Sequence, residues 1–238
     1  MSIQLDKVQP KNKAQLKSLI EYAFNHNIYD LNFIDTSEIT DMSWLFKYIS
    51  CNFDISNWDV SNVKDMTGIF YCCYDFNCDL SGWDVSNVKN MRQMFYGCTR
   101  LNTDLSNWDV SNVTTTFRMF VGCKKFNSDL SNWNMANVKT TKYMFSGCES
   151  FEGKGLENWD VSNVTDMTSM FAFCNKFNCN LSKWDVSNVT GMYFMFCHCK
   201  QFNCDLSRWN ISKVKNMKDM FTCCNISTIP DWYKKHIK

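Results

Sequence analysis

Leu181-Ser-Lys-Trp184-Asp-Val186-Ser-Asn188-Val189-Thr-Gly-Met192-Tyr-Phe-Met195-Phe196 is one copy of a phrase that recurs along most of this chain. Its tryptophan belongs to a series, Trp58, Trp83, Trp108, Trp133, Trp159, Trp184 and Trp209, with steps of 25, 25, 25, 26, 25 and 25 residues. A period in this range marks one supersecondary unit stacked on copies of itself. The expected fold class is an α/β repeat solenoid of about eight coils. Each coil is expected to carry a short parallel strand on one side and a short helical turn on the other.

The strand is read from alternation. Trp108 and Val110 flank Asp109, the pattern of an extended segment with one face buried. The helical turn is read from Thr165-Asp166-Met167-Thr168-Ser169-Met170-Phe171. Thr or Asp suits a helix N-cap, and Met167, Met170 and Phe171 would share one helical face. The phenylalanines Phe46, Phe70, Phe95, Phe120, Phe145, Phe171, Phe196 and Phe221 close the phrase. Three residues after all but the first stand Cys73, Cys98, Cys123, Cys148, Cys174, Cys199 and Cys224. The tryptophan and cysteine columns are expected to form the core ladder.

The phrase runs over 34–224, with Ile34 in the tryptophan place of the first, incomplete coil. Residues 1–33 lack it. There Leu16, Leu19, Ile20, Ala23 and Phe24 give a helical spacing, read as an amphipathic helix in an N-terminal cap. Residues 225–238 read as a C-terminal cap in which Pro230 stops pairing and Trp232 and Tyr233 cover the last coil. The interval breaks in two places. The 46–58 span is one residue short, and the 145–159 span is one residue long, with Gly153 and Gly155 suggesting a bulge or wider turn.

Composition narrows the function classes. A net charge of +1 sets up no bulk field for nucleic acid or an acidic membrane. Two prolines and 8 glycines leave little room for flexible linkers. No apolar run is long enough to span a membrane, and the first residues carry no secretory leader. The chain is therefore expected to stay where it is made, inside a cell or an assembled particle. Its 14 cysteines are then expected to be reduced thiols.

The wording Trp-Asp-Val-Ser-Asn-Val-Thr-Asp-Met-x-x-Met-Phe-x-x-Cys, as at 159–174, closely resembles the repeat of the BspA-like family of bacterial leucine-rich-repeat surface proteins. The resemblance covers most of the chain. It implies a right-handed leucine-rich-repeat-like solenoid, a role in binding host matrix proteins or other cells, and a place at the cell surface. It carries over no catalytic residue. Thr116 and Thr141 depart from the pattern where the first repeat methionine is expected, Met135 and Ala136 replace Val-Ser, and Lys213 replaces the corner asparagine.

Candidate chemistry competes with the repeat itself. Cys-x4-Cys pairs at 73/78, 174/179 and 199/204, and the group Cys197, His198 and Cys223, offer zinc-ligand types. The competing reading is a ladder of small buried thiols. Asp59, Asp84, Asp109, Asp160 and Asp185 form one acidic column, and Asp54, Asp79, Asp104, Asp129 and Asp205 another. They read as calcium ligands or, with more weight, as acceptors at turns. Asn62, Asn87, Asn112, Asn137, Asn163 and Asn188 are expected to form a buried ladder at a corner. Asn77, Asn102, Asn127, Asn178 and Asn203 form a second column. His26, His198 and His236 sit in no catalytic motif. No cofactor is expected.

Lys213, Lys215, Lys218, Lys234, Lys235 and Lys238 read as a solvated end rather than a phosphate track. The variable positions are expected to make a protein-binding surface. Lys124, Lys125, Glu149, Lys176 and Lys200 follow the cysteine column. Asn57, Gly82, Asn107, Asn132, Asn158, Lys183 and Arg208 run beside the tryptophans. The function expected is non-enzymatic protein binding, or else a structural subunit of a larger assembly such as a viral particle.

Overall fold

A computed structural model describes residues 6–235. His236 and Lys238 of the sequence reading lie outside the described residues. Helix α1 spans Lys13–Asn25. Asn12 caps it by accepting from the Gln15 N–H at 3.0 Å, and Leu16, Ile20 and Ala23 are buried beneath it. Helix α2, Asp231–Lys234, closes the other end and buries Tyr233. A single 3₁₀ turn, Leu156–Asn158, lies between them.

The remaining chain is built from β-turns. In the layer that starts at Ile55, Trp58 N–H donates to Ile55 O, Val63 to Val60, Ile69 to Met66, Cys73 to Phe70 and Phe76 to Cys73. Each turn begins and ends on a buried apolar residue. The three-residue spacing of apolar side chains is thus the repeat length of a chain of turns.

This corrects the assignment of strands and helical turns within the repeat. No helix forms at 165–171, and the Trp-Asp-Val segments carry no bridge. Seven of the nine parallel bridges among the described residues lie in the segment read as helical, from Asp41 to Asp65, then Asn90, Thr115, Thr140, Asp166, Gly191 and Asn216; the other two, Val8 to Ile34 and Asp30 to Asp54, lie at the N-terminal end. They are isolated bridges rather than strands. Two residues per layer explain why. Gly68, Gln93, Arg118, Tyr143, Ser169, Phe194 and Asp219 have φ between 54° and 58°, and a second set, Tyr48, Cys72, Gly97, Gly122, Gly147, Phe173, His198 and Cys223, has φ between 57° and 78°. A right-handed helix needs negative φ throughout. Positive φ at the third residue of a turn instead aims alternate N–H groups out of the layer.

Those N–H groups join the layers. Met42 donates to Asp65 O, Trp44 to Thr67 O, Phe46 to Ile69 O and Tyr48 to Tyr71 O, at 2.8–3.0 Å. The pattern repeats down to Met192, Phe194, Phe196 and His198, which donate to the layer of Met217. Inside, the phenylalanine rings stack along the axis at 5.3–5.8 Å from Phe46 to Phe221. The tryptophans stack beside them, Trp83 on Trp108 and Trp108 on Trp133 at 6.5 Å with planes 2–3° apart. Each indole N–H donates to a carbonyl of the preceding layer, as Trp133 does to Leu105 O at 2.9 Å.

The long interval has a specific cause. Cys78, Thr103, Ser128, Gly153, Cys179 and Cys204 share one corner column. There Cys78 accepts from Ile55 N–H, Thr103 from Leu80, Ser128 from Leu105 and Cys204 from Leu181. Gly153 has no side chain to accept from Leu130. The extra residue brings the Lys154 carbonyl to Leu130 N–H instead, at 3.2 Å.

Among the described residues, Thr141, in a methionine place, is the buried one whose hydroxyl finds no hydrogen-bond partner. Thr116 in the layer before donates to Thr140 O at 3.4 Å. An unmade buried hydrogen bond costs about 1–3 kcal/mol. Thr141→Val is expected to raise stability by about 1 kcal/mol in chemical denaturation, while Thr116→Val leaves it level or lower. Equal responses at the two positions would count against this account.

Candidate binding face

Most residues between the core positions of Met-x-x-Met-Phe-x-x-Cys reach the surface on the face that carries the interlayer N–H row, while Cys72, Thr168, Ser169, Ala172 and Cys197 stay buried. Their side chains are unusually aromatic and basic, and they touch one another across layers. Tyr71 stacks on Tyr96 at 4.7 Å, and Trp44 and Tyr48 meet the edge of Tyr71 at 5.6 and 5.7 Å. Lys47 sits over the rings of Tyr48, Trp44 and Tyr71 at 4.7, 5.2 and 5.5 Å. Further along, Arg92 and Arg118 both lie over Phe117, at 4.8 and 5.0 Å. Arg118 also covers Tyr143 at 5.0 Å, and Lys142 reaches the same ring at 5.8 Å. Tyr193 packs on Phe194 at 4.1 Å, and Phe173 stacks on His198 at 4.7 Å. Trp44, Tyr48 and Phe173 are 39%, 59% and 50% exposed, large values for apolar rings.

The stripe is held by the backbone beneath it. Trp44, Arg118, Tyr143 and Phe194 themselves have positive φ. Bulky side chains rarely adopt this conformation, and here the interlayer bonds fix it. Cation–ring contacts of this kind contribute about 0.5–1 kcal/mol each at exposed sites. They also restrict the long side chains to fewer conformations.

The tryptophan column is interior, every member 4% exposed or less. Cys73, Cys98, Cys123, Cys148, Cys174 and Cys199 are completely buried, and each thiol donates to a phenylalanine carbonyl of the preceding layer at 2.9–3.1 Å. Cys224 is only half-buried and reaches Phe202 O at 3.7 Å. Burial pushes the Cys73 thiol up to about 12 and drives Cys98, Cys123, Cys174 and Cys199 well above the usual thiol range. All 14 cysteines are free, and Cys223 is the exposed one. A native thiol titration is therefore expected to show one fast group at Cys223, with the ladder reacting only on unfolding. Fast labelling of Cys123 or Cys148 in the folded protein would contradict it.

Cys197, His198 and Cys223 do not assemble. Cys197 is buried, the His198 ring lies on Phe173, and Cys223 faces solvent. Among the described residues no three His, Cys, Asp or Glu side chains converge to hold a metal ion. The two aspartate columns cap turns. Ser61 N–H donates to Asp59, Ser86 to Asp84 and Ser111 to Asp109; in the other column Ser81 donates to Asp79, Ser106 to Asp104 and Ser207 to Asp205. The serine hydroxyl and N–H lower the Asp84, Asp160 and Asp185 carboxyls, and the serine N–H and hydroxyl lower Asp79 and Asp205.

The corner asparagines bond as a ladder, Asn87 to Ser61 O and Asn112 to Ser86 O at 2.8 and 2.7 Å, but they are exposed rather than buried. The corner lies at the rim, where one amide edge bonds the preceding layer and the other meets solvent. Lys213 occupies the same place and donates to Asn188 Oδ1 at 2.7 Å. In the second column Asn102 N–H donates to Asn77 Oδ1 and Asn127 N–H to Asn102 Oδ1. Lys124 pairs with Glu149 at 3.0 Å, so that part of the surface chosen from sequence is internally neutralised. Asn57 and Asn132, beside the tryptophans, also bond the preceding layer.

The ring stripe escaped the sequence reading. Its signal was the unusual filling of the x positions, Lys142-Tyr143, Phe117-Arg118 and Tyr193-Phe194, where neighbouring copies hold small or polar residues such as Thr168-Ser169.

Stacked turns with an aromatic and basic outer face define a repeat protein. The chain belongs to the family described as Mycoplasma protein of unknown function, DUF285, whose model matches residues 14–132, 79–154 and 143–232. No curated protein and no solved structure matches it. Among the described residues no helix is long and apolar enough to cross a membrane.

Proposed function

We propose that this protein is a non-enzymatic binding module, a right-handed leucine-rich-repeat-like solenoid that presents its ring stripe to a protein partner. The observation that carries this reading is the stripe itself: rings and cations in contact across successive layers on one face, exposed at Trp44, Lys47, Tyr48, Arg92 and Phe173 and half-buried at Phe117, Arg118 and Tyr143. Aromatic and arginine side chains held in advance are what binding hot spots are made of. The likeness of the repeat phrase to BspA-like surface proteins supports the same reading. Affinity purification from the native source tests it. The wild-type chain is expected to retain one partner stoichiometrically, and a Phe117→Ser/Tyr143→Ser variant of unchanged thermal stability is expected to lose it. A chain that retains no stoichiometric partner is not a binding module.

A second reading, a building block of a larger assembly, is favoured by one observation. The N–H groups of Met217, Asp219 and Cys223 have no acceptor among the described residues, whereas their counterparts Met192, Phe194 and His198 all bond the next layer. An open row of donors is a place for another backbone to add. Co-purification with a particle, through contacts on several faces, would distinguish this role.

A further inference from the structure

Within the stripe the charges are one-sided. Lys47, Arg92 and Arg118 contact rings but form no ion pair among the described residues. Lys142 is the neighbour that does, to Asp166 at 3.3 Å. Elsewhere Lys13 is answered by Asp41, Arg100 by Asp75 and Lys154 by Asp129. The remaining carboxylates near the stripe are engaged or distant from its centre: Asp65 accepts from the Thr67 N–H and hydroxyl, and Asp219 lies in the last layer.

We infer that the partner of this face is an acidic, extended protein segment whose carboxylates meet Arg92 and Arg118. The inference rests on the proposed binding role of the stripe and adds the chemistry of what is bound. Both guanidiniums are positioned by Phe117, so each presents donors without further ordering. A guanidinium fork matches a carboxylate geometrically. The layers of Arg92, Arg118 and Lys142 span about 10 Å, which an extended segment of about four residues covers. On one side of these cations lie the Tyr71 and Tyr96 rings, on the other Phe173, Tyr193 and Phe194. The complement is therefore a short acidic centre with apolar or aromatic flanks. A nucleic-acid strand is a poorer match, since it needs a continuous basic track and Asp166 already neutralises the last cation.

The test uses the full chain and a fluorescein-labelled hexaglutamate peptide read by fluorescence anisotropy. Saturable binding is expected, weakening about tenfold or more in Arg92→Glu/Arg118→Glu and at high salt. Lys125→Glu/Lys176→Glu, on the surface chosen from sequence, is expected to bind as wild type does. Thermal unfolding of each variant checks that the fold is kept. Absence of binding overturns the inference, as does equal weakening by the Lys125/Lys176 pair or preference for a single-stranded oligonucleotide of equal charge. The native partner separates the two levels. If Arg92→Glu/Arg118→Glu still retains it while Phe117→Ser/Tyr143→Ser does not, the acidic-segment inference fails and the binding role stands.

Discussion

Trp133→Ala is expected to lower stability by about 4 kcal/mol. The ring is 3% exposed and lies between Trp108 at 6.5 Å and Trp159 at 6.3 Å, so its loss opens a cavity in the middle of the stack. The Leu105 carbonyl loses the nearer of its two donors, the Trp133 indole N–H at 2.9 Å, and keeps the Trp108 N–H at 3.2 Å, an added cost of about 0.5–1.5 kcal/mol. Trp133→Phe leaves a smaller cavity, because it keeps a six-membered ring in the stack and removes the donor with the rest of the indole. It is expected to cost about 1–2 kcal/mol. In a repeat array the damage also uncouples the layers on either side, so denaturation of the alanine variant should broaden or split. A loss under about 1 kcal/mol for Trp133→Ala would show that the column does not hold the layers together.

Gly155→Ala is expected to be as damaging although it adds a single methyl group. Gly155 has φ +90°, and a β-carbon there would lie 2.2 Å from Ser131 N and 2.4 Å from Ser131 Cα. The obstacle is backbone of the preceding layer, which cannot rotate away. The substitution must either push the two layers apart or release the Leu156–Asn158 turn. Both routes cost about 3 kcal/mol or more once strain and lost interlayer bonds are added. Gly82→Ala is the matched control. Nothing lies within 4 Å of its added carbon and its φ is not positive, so no loss is expected, and a gain of about 0.5 kcal/mol is the favourable limit. Thermal denaturation of the pair decides the matter, and similar midpoints would refute the close approach at Gly155.

Both predictions sit on features that were partly legible in the sequence. A strict period puts equivalent residues in equivalent surroundings, so Trp133 and Cys123 could be grouped into columns without knowing the path between them. The path was not legible. Met167, Met170 and Phe171 are spaced as one face of a helix requires, but a chain of β-turns closing on every third residue gives the same spacing. What separates them is φ at Ser169, 54°, and serine does not announce it. Glycine marks four of these places, Gly68 in one set and Gly97, Gly122 and Gly147 in the other, but it shares each column with bulky residues and so does not announce a turn. The break after Phe151 pointed to Gly153 and Gly155, yet its cause, a missing acceptor for Leu130 N–H, depends on a contact between layers. The ring stripe is hidden for another reason. Its residues occupy the places that the repeat leaves unspecified, so they looked like filler until the rings of successive copies were seen side by side.

The way the layers are joined also sets how this molecule can change in length. Forward bonds leave each layer through its turn backbone, and backward bonds leave through indole, thiol and asparagine groups, in the same register at nearly every junction. A duplicated block of 25 residues, such as 109–133, therefore carries both mating surfaces it needs and would add about 4.8 Å of rod without disturbing its neighbours. A block of 24 would bring Asp109 to an indole position. The molecule is thus a ruler with fixed graduations, and each added graduation also brings four more places to the ring face, at 117, 118, 121 and 122 in this block.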